Sequence, residues 1–219
     1  MIRCLKNSIL LFICLAVMDF SVLAQKNAAS KRASVSSGIA KIEAYCAQLD
    51  QYVKSNPKAG RIFADVASGM SNQSSKWREF SSEDEREQAD DGDNLNQNAI
   101  VWLKDDVIAI ASCTFQSPSR DWAHYVGYYF RNDGTLAKTD STLITFYGHV
   151  KVVRSSLYDK KGQVLKSSVQ YLSLDGKKVK KPDAKDEEFV DEPIPLYHRS
   201  QDLPFYNLLK KTTAKTKQE

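Results

Sequence analysis

Apolar residues recur at Ile39, Ile42, Cys46, Leu49 and Val53, in steps of three and four that build one stripe along a helix. Ser36 or Ser37 can cap its start. Asn56-Pro57 and Gly60 stop it, because proline drives the residue before it out of the helical region. Arg61–Ala67 is open between a short helix and a strand; its alternation, with Ile62, Ala64 and Val66 on one face, favours the strand. Trp77–Phe80 is its expected partner. From Ala99 onward the chain is a series of runs with strand composition: Ala99–Leu103, Val107–Phe115, Trp122–Phe130, Leu136–Phe146, Val150–Tyr158 and Val164–Ser173. Lys104-Asp105-Asp106 joins the first two as a hairpin.

Glycines punctuate the later runs at a fixed interval. Gly134, Gly148, Gly162 and Gly176 follow one another every 14 residues, the length of a strand of about ten residues plus a turn of about four. All four read as structural turns: Asn132-Asp133-Gly134, Asp159-Lys160-Lys161-Gly162 and Leu174-Asp175-Gly176, with Tyr147-Gly148-His149 a terser version. Asn and Asp accept tight-turn backbone angles and glycine takes the positive φ that other residues resist. Aligned on these glycines, few side chains coincide, so the interval reflects the geometry of an up-and-down meander and not a sequence repeat. The expected fold class is therefore α+β, an N-terminal amphipathic helix packed on a curved antiparallel β-meander of about six to eight strands.

The remaining stretches lack either period. Residues 81–98 are acidic and polar and read as a solvated loop; the pattern fails as a calcium loop, since counting from Asp91 places Leu95 where a fifth-position oxygen ligand is needed. Residues 177–200 form an extended charged segment with Pro193 and Pro195 two apart. Leu203–Leu209 is apolar enough to dock as a short helix, and 210–219 reads as a disordered lysine-rich tail. Residues 25–35 read as a flexible leader, leaving 36–209 as a single domain.

The N-terminus adds a destination. Arg3 and Lys6 precede an apolar run from Ser8 to Met18, and Val22-Leu23-Ala24 supplies small residues for cleavage, so 1–24 is expected to be a secretory signal peptide cut after Ala24. The expected localisation is the periplasm or the extracellular space. Without Arg3, Lys6 and Asp19 the net charge is +3, too balanced for the basic field of a nucleic-acid binder. No stable membrane span is expected after cleavage. Cys46 and Cys113 are the cysteines left in the mature chain, and an oxidising compartment permits a disulfide between them if the helix lies over the strand that holds Cys113.

Catalytic signatures do not occur: there is no nucleophile elbow, phosphate loop, dinucleotide fingerprint, HExxH or CxxC. No cofactor, metal site or catalytic residue is expected. His124, His149 and His198 stand apart from one another, and Asp121-Trp122-Ala123-His124 offers a base with an orienting carboxylate at most. Trp122, Tyr125, Tyr128, Tyr129 and Phe130 form the candidate binding surface, because aromatic faces on sheets bind sugars, peptides or acyl chains. The expected function is that of a non-enzymatic exported binding or interaction domain, whose partner is an exported protein, a glycan or a lipid. The alternatives are a carrier of an apolar small molecule or lipid within the curved sheet, and a hydrolase using His124 and nearby acidic residues.

Overall fold

A computed structural model describes residues 35–67, 74–93, 95–146, 149–183, 190 and 194–215. The signal peptide, the leader up to residue 34 and Gly148 lie outside the described residues. The chain divides into two compact units, 1–41 and 42–219. Of the first, residues 35–41 are described and are helical. They begin a helix, α1, that runs over 35–55; the second unit holds the rest of α1 and everything after it.

That second unit is built on one open antiparallel sheet of eight strands in the order β2-β1-β3-β4-β5-β6-β7-β8. The strands are β1 (Arg61–Asp65), β2 (Trp77–Phe80), β3 (Gln97–Lys104), β4 (Val107–Gln116), β5 (Trp122–Phe130), β6 (Leu136–Thr145), β7 (Val150–Tyr158) and β8 (Val164–Ser173). From β3 to β8 each strand pairs with the next in sequence, as a meander requires. Asp105 and Asp106 both have positive φ, 53° and 61°, so the β3–β4 hairpin closes through a two-residue turn whose twist matches its strands. Gly134, Gly162 and Gly176 have φ of 76°, 80° and 87°, which places three of the four expected turn glycines in the left-handed region. Irregularities in register at Trp102/Leu103, Tyr129/Phe130 and Leu157/Tyr158 break the ladder once in each of three hairpins.

The two sheet faces have different cores. One carries Phe63, Ala99, Val101, Ala111, Cys113, Val126 and Tyr128, buried together with Leu203, Phe205 and Leu209. Phe205 stacks on Phe63 with ring centroids 4.9 Å apart. The C-terminal segment is held there by backbone as well as by apolar contact: Leu136 N donates to His198 O at 2.9 Å and Ser200 N donates to Gly134 O at 2.9 Å. On the other face, Cys46 and Leu49 are buried with Ala109, Ile110, Tyr129 and Ala137. Tyr129 Oη donates to Asp50 at 2.8 Å, and Tyr52 Oη donates to the Leu103 carbonyl at 2.6 Å.

Three expectations need correction. Cys46 and Cys113 are free and buried, and they belong to the clusters on opposite faces of the sheet. Residues of a strand alternate sides; Ile110 faces α1, so Cys113, three residues on, points away from it, and the structure holds the two as free thiols rather than as a disulfide. Within 81–98, residues Glu83–Asp93 form a helix, α2. Glu85 N donates to Ser82 Oγ at 3.1 Å and Ser81 N donates to Glu85 Oε2 at 2.8 Å, which satisfies helix-start donors, while Glu83, Asp84 and Glu85 favour the positive end of the helix dipole. Finally, a third helix, α3 (Tyr206–Lys215), continues through half of the expected tail. Among the described residues no helix is long and apolar enough to cross a membrane.

Candidate functional site

β5 is where the two faces meet the candidate aromatics, and the alternation of the strand sorts them. Tyr128 and Phe130 are buried in the cluster beneath the C-terminal segment, where Tyr128 Oη donates to the Pro195 carbonyl at 2.6 Å and its ring meets Tyr197 edge-on at 5.3 Å. Burial raises the Tyr128 hydroxyl far above its ordinary pKa. Trp122 packs, half-buried, beside Leu143, Val150, Val152 and Val190. Tyr129 lies on the opposite face under α1, bound to Asp50, and burial again raises its pKa, followed by the Asp50 hydrogen bond. Tyr125 shares that face and lies beyond the α1 cluster. It is 47% exposed, although its neighbours His124 and Val126 are 2% and 1% exposed. The five aromatics are thus not one surface: three belong to the C-terminal side, one is covered by α1, and Tyr125 alone among them is open.

The register defines what surrounds Tyr125. Thr114 on β4 and Thr142 on β6 stand directly across from it. Farther out on the same side, Val153 pairs with Thr142 and Gln170 with Val153. Gly127, the next β5 residue on this face, adds no side chain. The result is a shallow platform with one aromatic ring among hydroxyl and amide groups.

A groove opens between α1 and the strands beside it, with a volume of about 230 Å³, lined by Glu43, Cys46, Asp50, Lys138, Ser155 and Lys166. Within it Lys166 pairs with Glu43 at 2.7 Å, while Lys138 pairs with Asp140, outside the lining, at 2.5 Å. Burial pushes the Cys46 thiol up to about 12, so it is protonated and a poor nucleophile at neutral pH.

His124 faces the C-terminal side, between Phe115 and Leu143 on its flanking strands. Its Nε2 is buried without a hydrogen-bond partner, as is Ser141 Oγ. Burial, aided by the positive charge of Arg154, lowers its pKa to about 4, and the imidazole is neutral at pH 7. Asp121 accepts a hydrogen bond from Ser119. Among the described residues, no three His, Cys, Asp or Glu side chains gather as a metal site.

The first turn glycine, Gly134, belongs to a backbone device. Asp133 accepts from Thr135 N at 3.1 Å and Thr135 Oγ1 at 2.6 Å and pairs with Lys160 at 2.9 Å; these partners, the Thr135 bonds first, hold its carboxyl well below the usual range. The sequence groups Tyr125 with the other four aromatics and gives no sign of which face the C-terminal segment covers; the alternation of β5 divides them. Compared with protein-family models, with curated proteins and with solved structures, the chain matches none.

Proposed function

We propose that the protein is an exported, non-enzymatic binding domain: a curved sheet, backed by α1 packed across it, that presents the platform around Tyr125 to a glycan. The observation that carries this reading is the exposure of Tyr125 in the middle of a strand whose adjacent side chains are buried. Elsewhere on β5 the aromatic rings are used to fill a core; at position 125 the ring is left to solvent. An exposed ring flanked by Thr114 and Thr142 offers what a sugar needs, an aromatic surface for its C–H face and hydroxyls for its rim. The basic start, apolar run and small residues at 22–24 support export.

The carrier reading is less well supported, because the apolar face that would hold a ligand is filled by Leu203, Phe205 and Leu209 of the chain itself. The hydrolase reading asks His124 to take up a proton from a sealed site, and its low pKa and Arg154 neighbour both oppose that. The test is a glycan array probed with the wild-type protein and with Tyr125→Ala. Selective retention of particular glycans, lost in the variant, is the expected result. No retention by the wild type, or equal retention by both, would remove the reading.

A further inference from the structure

The two edges of the sheet are guarded unequally. β2 is four residues long and carries Arg78 and Glu79, a short and charged edge that resists pairing. β8 has ten residues, VLKSSVQYLS, with Lys166 as its single charge and no proline or glycine. The ammonium of Lys166 is turned to Glu43 at 2.7 Å, and Val164 and Val169 are 58% and 46% exposed.

The direction of the free backbone groups follows from the hydrogen bonds already made. Val179 N donates to Tyr171 O, and Ser173 N donates to Lys177 O, so residues 171 and 173 of β8 point their backbone away from β7. In an antiparallel strand the N–H and C=O of one residue point the same way and alternate along the chain. The β7–β8 register is unbroken from Ser173 to Lys166, which makes Val169 and Ser167 the next outward residues. Beyond 171, no strand pairs with this side of β8 among the described residues.

We infer that β8 pairs edge to edge with β8 of a second copy of this chain, antiparallel and centred on Ser168. This register sets Val169 opposite Ser167 of the second copy, and Ser167 opposite its Val169, so that outward residues meet outward residues and exchange both N–H···O=C bonds. Lys166 then faces Gln170 of the second copy, and no like charges oppose each other. A register centred on Val169 would bring Ser167 against Tyr171, whose carbonyl is already taken by Val179. The strand is therefore complementary to itself in hydrogen-bond direction, in charge and in the stretch left free. The stretch is short, so the dimer is weak and concentration-dependent. This inference goes beyond the glycan reading and does not depend on it.

Sedimentation velocity of the purified protein up to about 200 µM, a range suited to weak association, together with cysteine crosslinking, tests it. In the inferred register Ser168 faces Ser168 of the second copy as a non-hydrogen-bonded pair, with Cα atoms about 4.5 Å apart, whereas Ser167 is displaced from its own counterpart. Ser168→Cys should oxidise to a covalent dimer many times faster than Ser167→Cys, and Val169→Pro, which removes an outward N–H without removing a donor to β7, should abolish the concentration-dependent dimer. Should Val169→Pro fail to fold, Val169→Lys serves in its place and should shift the protein to monomer with its melting temperature unchanged. A wild type that is monomeric throughout, or crosslinking no faster at 168 than at 167, overturns the inference. So does a dimer that survives both Val169 variants.

Discussion

A Cβ placed on Gly162 would lie 2.7 Å from Nδ1 of His198. The turn between β7 and β8 and the C-terminal segment therefore meet at a residue that favours glycine through its positive φ, with the exposed His198 imidazole close enough that a Cβ would have to turn it aside. Gly176 has a similar φ, but a Cβ there would meet nothing within 4 Å. Gly176→Ala should cost about 1 kcal/mol from backbone strain alone, and Gly162→Ala that amount plus the modest cost of turning the exposed His198 ring aside, about 1–2 kcal/mol in all. Urea midpoints of the two variants measure the difference; equal costs would mean that His198 does not rest on the turn.

His124 should make the fold acid-sensitive in a definite window. Its folded pKa is lowered to about 4, against about 6.5 in the unfolded chain. Between those values the unfolded state binds a proton that the folded state does not, so stability is full above about pH 6.5 and falls as the pH drops toward 4, by up to about 3 kcal/mol. Carboxylates with lowered pKa values, such as Asp133 and Glu85, contribute stability that is lost at lower pH, below about 4.5. Stability measured from pH 7 to pH 4 should therefore slope less in His124→Leu than in the wild type. Parallel curves would contradict the placement of His124.

The cysteine chemistry follows from the parity of β4. Protein lacking residues 1–24, denatured without reductant, should titrate as two free thiols, one each from Cys46 and Cys113. In the native state both should react slowly, since both are buried and burial pushes each thiol up to about 12. A denatured, unreduced sample with no free thiol would show that the two cysteines pair.

Asp50 and Tyr129 tie α1 to β5 at 2.8 Å. Tyr129→Phe should cost about 1 kcal/mol, and Leu49→Ala, which empties a fully buried site, about 3 kcal/mol. A double-mutant cycle between Asp50 and Tyr129 should return a coupling of about 1 kcal/mol or more; additive effects would show that the hydrogen bond does not form.

Much of this architecture was legible in the residues. Alternation and the spaced glycines located β3 to β8 to within a few residues, because a meander makes each strand answer only to its neighbours. α2 was not legible, for a physical reason: its stability comes from the Ser81, Ser82 and Glu85 capping bonds and from a single stripe residue, Ala89, against Ala64, Phe80 and Leu95, so it carries no apolar period. The disulfide was not found because Cys113 lies three residues from Ile110 in an alternating strand, on the face opposite α1. At the candidate site, the sequence groups the five aromatics of β5 as one surface, and the strand's alternation divides them between two faces. The apolar run Leu203–Leu209 announced a docking segment, but no local pattern said which face the chain from Pro195 onward would cover, since that contact depends on chain lying some 70 residues away.

Glycan affinity and melting temperature, measured together for the wild type and for Tyr125→Ala, distinguish a ring that binds ligand from one that supports the fold. A ring that only contacts ligand can be removed without loss to the core, so the account predicts about tenfold weaker binding or more with a melting temperature within about 2 °C of the wild type. Unchanged affinity, or a loss of affinity that merely follows a lowered melting temperature, would contradict it.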